Sequence, residues 1–189
     1  MAQTVSTDIA AELNITARRN DTFTFKLQVT DPAESAPNNS KQLYIAQTDA
    51  DGSGDDNNQY QAKMTIVDSS TNDSKLELYS ARWTSTATEA EGPGSSEPPS
   101  ATSPGKFYGT QDSGAIKVGG AIDFKAMGAD HAAANRVVIS APYNYMSFEP
   151  GVYKYDLQIR HAVTNAETVP EYTTWLYGTF TLTADITQL

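Results

Sequence analysis

The chain has 189 residues, no cysteine and a formal net charge of −10. At that length a cysteine-free chain buries about 70% of its unfolded surface in one core, which predicts a single domain over residues 1–189 without a disulfide staple. The 13 basic residues are scattered among 23 acidic ones, which argues against nucleic acid as a partner. No apolar run approaches the roughly 20 residues of a bilayer span, and MAQTVSTDIAAELN has no signal-peptide pattern, which predicts a soluble, cytoplasmically made protein without a membrane partner.

Residues 1–14 read as an N-terminal arm. After a turn at Arg19-Asn20-Asp21, Phe23, Phe25, Leu27 and Val29 fall on one face and Thr22, Thr24, Lys26 and Gln28 on the other, the period of a half-buried strand. A polar stretch follows to Ser40, then a short strand candidate at residues 42–47. Residues 60–67 turn Ala62, Met64 and Ile66 inward, residues 75–81 bring Leu76 and Leu78, and the turn-rich DSSTNDS between them predicts a hairpin.

Residues 84–114 are rich in Ser, Thr, Pro and Gly and almost empty of aliphatic side chains, so they offer little apolar area to offset their ordering entropy. They read as a long surface insertion inside the domain, left as bare coil or ordered against a neighbouring subunit. The run AMGADHAAAN, residues 126–135, is good for one or two helical turns, and helix content elsewhere should be low.

The C-terminal third carries the strongest pattern. Pro150 fixes its own φ and Gly151 can take a positive one, which predicts a turn at Glu149-Pro150-Gly151. Beyond it Tyr153, Tyr155, Leu157 and Ile159 alternate with Lys154, Asp156, Gln158 and Arg160. In-phase alternation makes the two tyrosines core or cross-strand aromatics, and places Asp156 on the other face within reach of Lys154 or Arg160. From Tyr172, Leu176, Gly178, Phe180, Leu182 and Ala184 share one side and Trp175, Tyr177, Thr179, Thr181 and Thr183 the other. Gly178 marks a close backbone approach or a bulge. Both faces carry aromatic or β-branched groups, so neither strand has the look of a solvent edge. Residues 185–189 form a C-terminal tail.

One local constellation suggests metal. Asp49, Asp51, Ser53, Asp55 and Asn57 place oxygen ligands at alternate positions with Gly54 sixth, the first half of an EF-hand-type calcium loop. Position twelve is Tyr60 instead of a bidentate Glu, and strands flank the loop. Two readings stand, a calcium loop completed by Asp56 or a neighbouring chain, or a solvated acidic loop. Otherwise no cofactor is implied. Catalytic residues are not nominated: there is no cysteine nucleophile, His131 and His161 lie far apart without an HExxH motif, and no Ser-centred elbow occurs. This predicts a protein that is not an enzyme. Trp83, Phe107 and Tyr108, near the ends of the insertion, are candidate interaction aromatics, as sugar-stacking rings or as caps on the core.

The order of segments, NDTFTFKLQV, QAKMTIVD, LELYSA, VVIS, GVYKYDLQIR and WLYGTFTLTADIT, resembles a small β-sandwich that recurs in tailed-bacteriophage virions. It is similar to the N-terminal attachment domain of baseplate upper proteins and to related tail, neck and fibre-attachment proteins. The resemblance rests on Gly151, Tyr153, Tyr155, Asp156 and Leu157, then Leu176, Gly178, Phe180, Asp185 and Thr187. The acidic loop after Gln47 and the segment after Trp83 depart from that pattern. The resemblance implies an all-β, Ig-like antiparallel β-sandwich of roughly seven to nine strands. It also implies a structural virion component of the tail, baseplate or fibre-attachment region, assembled in the host cytoplasm by packing on copies of itself and on other virion proteins. A head-decoration or neck protein is the alternative station. A receptor- or carbohydrate-binding module, with a glycan as partner, is the alternative function.

Overall fold

A computed structural model describes residues 10–28, 60–80, 96–108, 121–124, 136–161 and 172–185. Among these the chain is all-β. Ten strands are present: β1 (Ala11–Glu12), β2 (Ile15–Arg18), β3 (Phe23–Gln28), β4 (Tyr60–Asp68), β5 (Ser74–Tyr79), β6 (Gly105–Phe107), β7 (Ile122–Phe124), β8 (Arg136–Ala141), β9 (Gly151–His161) and β10 (Tyr172–Thr183). The one helical element among the described residues is a 3-10 turn at Tyr143–Tyr145. Strand candidate 42–47 and the helical candidate 126–135 lie outside the described residues.

The strands form two sheets. The larger has the order β1-β10-β9-β4-β5-β6, with β2 continuing β1 along β10, and the smaller has the order β3-β8-β7. The expectation of wholly antiparallel sheets is corrected here. The centre of the larger sheet is antiparallel, but β1 and β2 run parallel to β10, and β6 runs parallel to β5. Parallel neighbours need long connections, and both flanks are supplied by remote stretches of chain.

Alternation decides which side chains meet between the sheets. Ala62, Met64 and Ile66 of β4, Leu76 and Leu78 of β5, and Tyr153, Tyr155, Leu157 and Ile159 of β9 are all buried, as the period-two pattern required. From the smaller sheet Phe23, Ile122, Val137 and Ile139 join the same core, and Phe23 meets Phe180 edge-on at 5.5 Å. Strand β10 departs from strict alternation. A bulge between Thr174 and Leu176 leaves Trp175 without a cross-strand partner, and Trp175 packs against the core although its position assigned it to the outer face. Ala184, expected on the core side, is exposed past the strand's end.

The β4–β5 hairpin turns on Asp68. Its Oδ1 accepts the Ser70 backbone N–H at 2.8 Å, and its carbonyl accepts the N–H of Asn72, which has a φ of 62°. An Asp side chain closing on the backbone, followed by an Asn that tolerates the left-handed region, is what that turn needs. The expected lead-in turn at residues 19–21 is present, with Asn20 at a φ of 59°. The chain then crosses between sheets from β8 to β9 through a connector that buries Tyr145, Met146 and Phe148. Gly151 opens β9 without the positive φ expected of it.

A further expectation is corrected. Within the insertion, residues 96–108 order against the chain's own sheet instead of remaining coil or waiting for a neighbour. Glu97 and Lys106 exchange backbone hydrogen bonds at 2.8 Å, and β6 pairs with β5 from Leu76↔Gly105 to Leu78↔Phe107. A Cβ on Gly105 would stand 2.8 Å from the Pro99 ring and 3.0 Å from Leu76, so the approach needs glycine. Few apolar anchors suffice because Pro98, Pro99 and Pro104 reduce the freedom the segment loses on ordering. Ala11 and Glu12, within the stretch read as an N-terminal arm, pair with β10 of the same chain.

Candidate functional site

The calcium-loop candidates Asp49, Asp51, Ser53, Asp55 and Asn57, and the aromatic Trp83, lie outside the described residues. Among the described residues no three Asp, Glu or His side chains are grouped to hold a metal ion. Phe107 is 6% exposed and packs at 4.6 Å against the ring of Tyr145, so its faces belong to the core. Tyr108 is half-buried and stacks on Tyr79 at 4.3 Å, with 6° between the ring planes. Alternation could not distinguish these roles, because three residues of strand are too few for a period.

Around that stack the outer face of the larger sheet carries a polar cluster. The Tyr79 hydroxyl donates to Glu77, the Lys63 ammonium bonds Glu77 at 3.2 Å, and it also stands 5.4 Å from the Tyr79 ring centroid. Burial pushes the Glu77 carboxyl up, but the Tyr79 hydroxyl and the Lys63 charge together outweigh it and hold the group below its ordinary value. Burial, then the neighbouring Glu77, raises Tyr79, which keeps its proton and remains a donor. Asp156 lies on the same face. It accepts from Gln158 Nε2 at 2.8 Å, a partner the sequence reading did not name, and burial raises its carboxyl above the ordinary value. The Lys63–Glu77 pair joins β4 to β5, and the Lys63 charge also acts on Asp156 of β9.

A second feature lies where the two sheets come side by side. Among the described residues β2 ends the larger sheet and β3 ends the smaller, and between them runs a cleft of about 410 Å³ lined by residues 13–18 and 21–25. Leu13, Ala17 and Phe25, all on its walls, are core residues only partly covered, and buried Ile15 and Phe23 lie beside them. Both walls carry backbone groups turned into the opening. Ser140 donates to Ala121 on the β7 side, so Thr24, its cross-strand partner, turns its N–H and C=O away from β8. Leu13 and Arg19 donate to Tyr177 and Thr183, so on β2 the alternate residues Thr16 and Arg18 turn away from β10, Thr16 into the opening and Arg18 into the turn, where its carbonyl accepts the Asp21 N–H at 3.4 Å. Arg19 fixes the turn between the walls through bonds to the Ser147 carbonyl at 3.1 Å and to Glu149 at 3.4 Å.

The cleft was missed in the sequence because β2 is four residues long and reads as the approach to a turn. Its one signal was the alternation of Ile15 and Ala17 with Thr16 and Arg18. No protein-family model matches the chain, and a search of curated proteins finds no match.

Proposed function

We propose that this chain is an Ig-like β-sandwich that serves as a structural component of a tailed-phage virion, in the tail, baseplate or fibre-attachment region, and works by protein–protein packing. The observation that carries the reading is the β2–β3 cleft, where two strand edges present backbone groups and partly covered core residues side by side. Open edges of this kind are where one chain adds to another. The resemblance of GVYKYDL and LYGTF to virion sandwich proteins supports the same reading. So does Tyr153, near the start of β9, whose hydroxyl donates to the carbonyl of Glu149 four residues upstream. That is the arrangement of the tyrosine corner in Ig-like folds.

On this reading the partners are copies of the chain and other virion proteins, the place of assembly is the host cytoplasm, and the chain carries out no reaction. A station in the head or neck is the alternative within the same particle. The test is mass spectrometry of purified particles of the source virus, followed by placement of the chain in a map of the particle. Recovery in stoichiometric amount supports the proposal, and absence from the particle overturns it. The glycan-binding alternative is separated by an array probed with isolated protein, which the packing reading expects to stay blank.

A further inference from the structure

We propose that the β2–β3 cleft receives residues 1–9 of a second copy of this chain, added as a strand along the edge of β3 that has no paired strand among the described residues. The inference deepens the packing reading and rests on it, naming the partner, the donated segment and the receiving edge.

Three observations converge on the receiving side. The Thr24 backbone faces the opening from β3, and the Thr16 backbone faces it from β2. The walls include Leu13, Ala17 and Phe25, whose apolar surface is only partly covered. A strand lying there would take up the backbone hydrogen bonds and cover the remaining apolar area in one step, which is how strand addition gains affinity.

The donor follows from sequence and direction. Residues 1–9 are MAQTVSTDI, with Thr4, Val5, Thr7 and Ile9 β-branched, no proline or glycine, and Asp8 as the one charged side chain. Such composition suits a strand. Nine extended residues span about 30 Å, more than enough to run beside the six residues of β3. The segment joins the described chain at Ala10, and β1 then runs from Ala11, opposite Leu176, toward the cleft. The end of β1 to which residues 1–9 attach is the one away from the cleft, which makes a neighbour's segment the proposed occupant. A heterologous contact of this kind closes into a ring when the rotation permits.

The test uses the full chain, with sedimentation equilibrium over a range of concentrations. The expected result is self-association that weakens at least tenfold in Val5→Asp, which spoils the donor, and in Thr24→Pro, which removes the outward N–H while leaving pairing to β8. Excess synthetic MAQTVSTDI should return the full chain to monomer, and a scrambled peptide should not. Because Thr24→Pro alone could fail by misfolding, the two variants are also mixed. Each lacks one half of the contact, so the mixture should form a heterodimer that neither forms alone. A full chain that stays monomeric, association indifferent to Val5→Asp, or no complementation on mixing overturns the proposal. Its failure is distinct from that of the virion reading: a chain present in particles but indifferent to these changes leaves that reading standing, and an arm-linked oligomer absent from particles does the reverse.

Discussion

The hydroxyl of Tyr155 donates to the backbone carbonyl of Leu13 at 2.7 Å, across a separation of 142 positions in the chain. Between the two lies Gly178, directly opposite Tyr155 in the β9–β10 register. A Cβ on Gly178 would collide with the Leu13 carbonyl oxygen, so the absent side chain is what lets that carbonyl turn inward. The Asn14 side chain takes over on the other side, accepting the Thr179 N–H at 3.0 Å and its hydroxyl at 2.6 Å. This exchange is why β1 and β2 are two strands instead of one.

Tyr155→Phe should leave the Leu13 carbonyl without its buried donor and cost about 1–3 kcal/mol. The check is thermal unfolding combined with hydrogen exchange, which should rise first at the amides of residues 13–17. Burial pushes the Tyr155 hydroxyl up to about 12 from an ordinary value of 10.0. A group raised on folding contributes fully below its unfolded value and loses that contribution as pH rises through the folded one. The gap between wild type and variant should therefore hold from neutral pH to about pH 10 and narrow toward pH 12.

Gly178→Ala should be the more damaging change at this junction, about 1–3 kcal/mol or beyond, because the clash is with backbone and has no rotamer to escape into. Combining it with Tyr155→Phe should cost less than the sum of the two, since both act on the one carbonyl. Denaturant midpoints of the four chains measure the coupling.

Glu77 and Asp156 share a face and should show opposite pH signs. Glu77 is lowered on folding, so its contribution is present above its unfolded value and lost as pH falls through the folded one; Glu77→Gln should destabilise at pH 7 and progressively less in acid. Asp156 is raised, so its contribution is present at low pH and lost as pH rises. Asp156→Asn should accordingly stabilise at pH 7, by less than about 1 kcal/mol once solvent screening is allowed for, with the gain vanishing in acid. Melting temperatures between pH 3 and pH 7 (about the range over which carboxylates titrate) decide both signs.

Phe107→Ala should cost about 3–5 kcal/mol, as expected for a ring removed from a packed core. Tyr108→Ala, which removes a half-buried stack on Tyr79, should cost about 1 kcal/mol. Both should accelerate proteolysis within residues 84–114, because β6 loses its anchors.

Calorimetric titration with calcium tests residues 49–57. A calcium loop gives heat that Asp51→Ala abolishes, and a solvated acidic loop gives none with either chain.

The period-two faces of β3, β4, β5, β9 and much of β10 were legible from the sequence alone. Burial on one face of a strand depends on alternation, whatever strand lies beside it, so Met64, Leu157 and Phe180 declare themselves without knowledge of their partners. Gly178 was legible as a close approach for a related reason: a glycine inside an aromatic strand leaves room for something. The tertiary structure decided what depends on remote neighbours. That the approaching atom is the Leu13 carbonyl, that β2 lies parallel to β10, that Phe107 enters the core, and that among the described residues β2 and β3 end their sheets side by side all follow from pairings between distant segments. Local composition carries no record of such pairings, because their free energy arises only when both partners are in place.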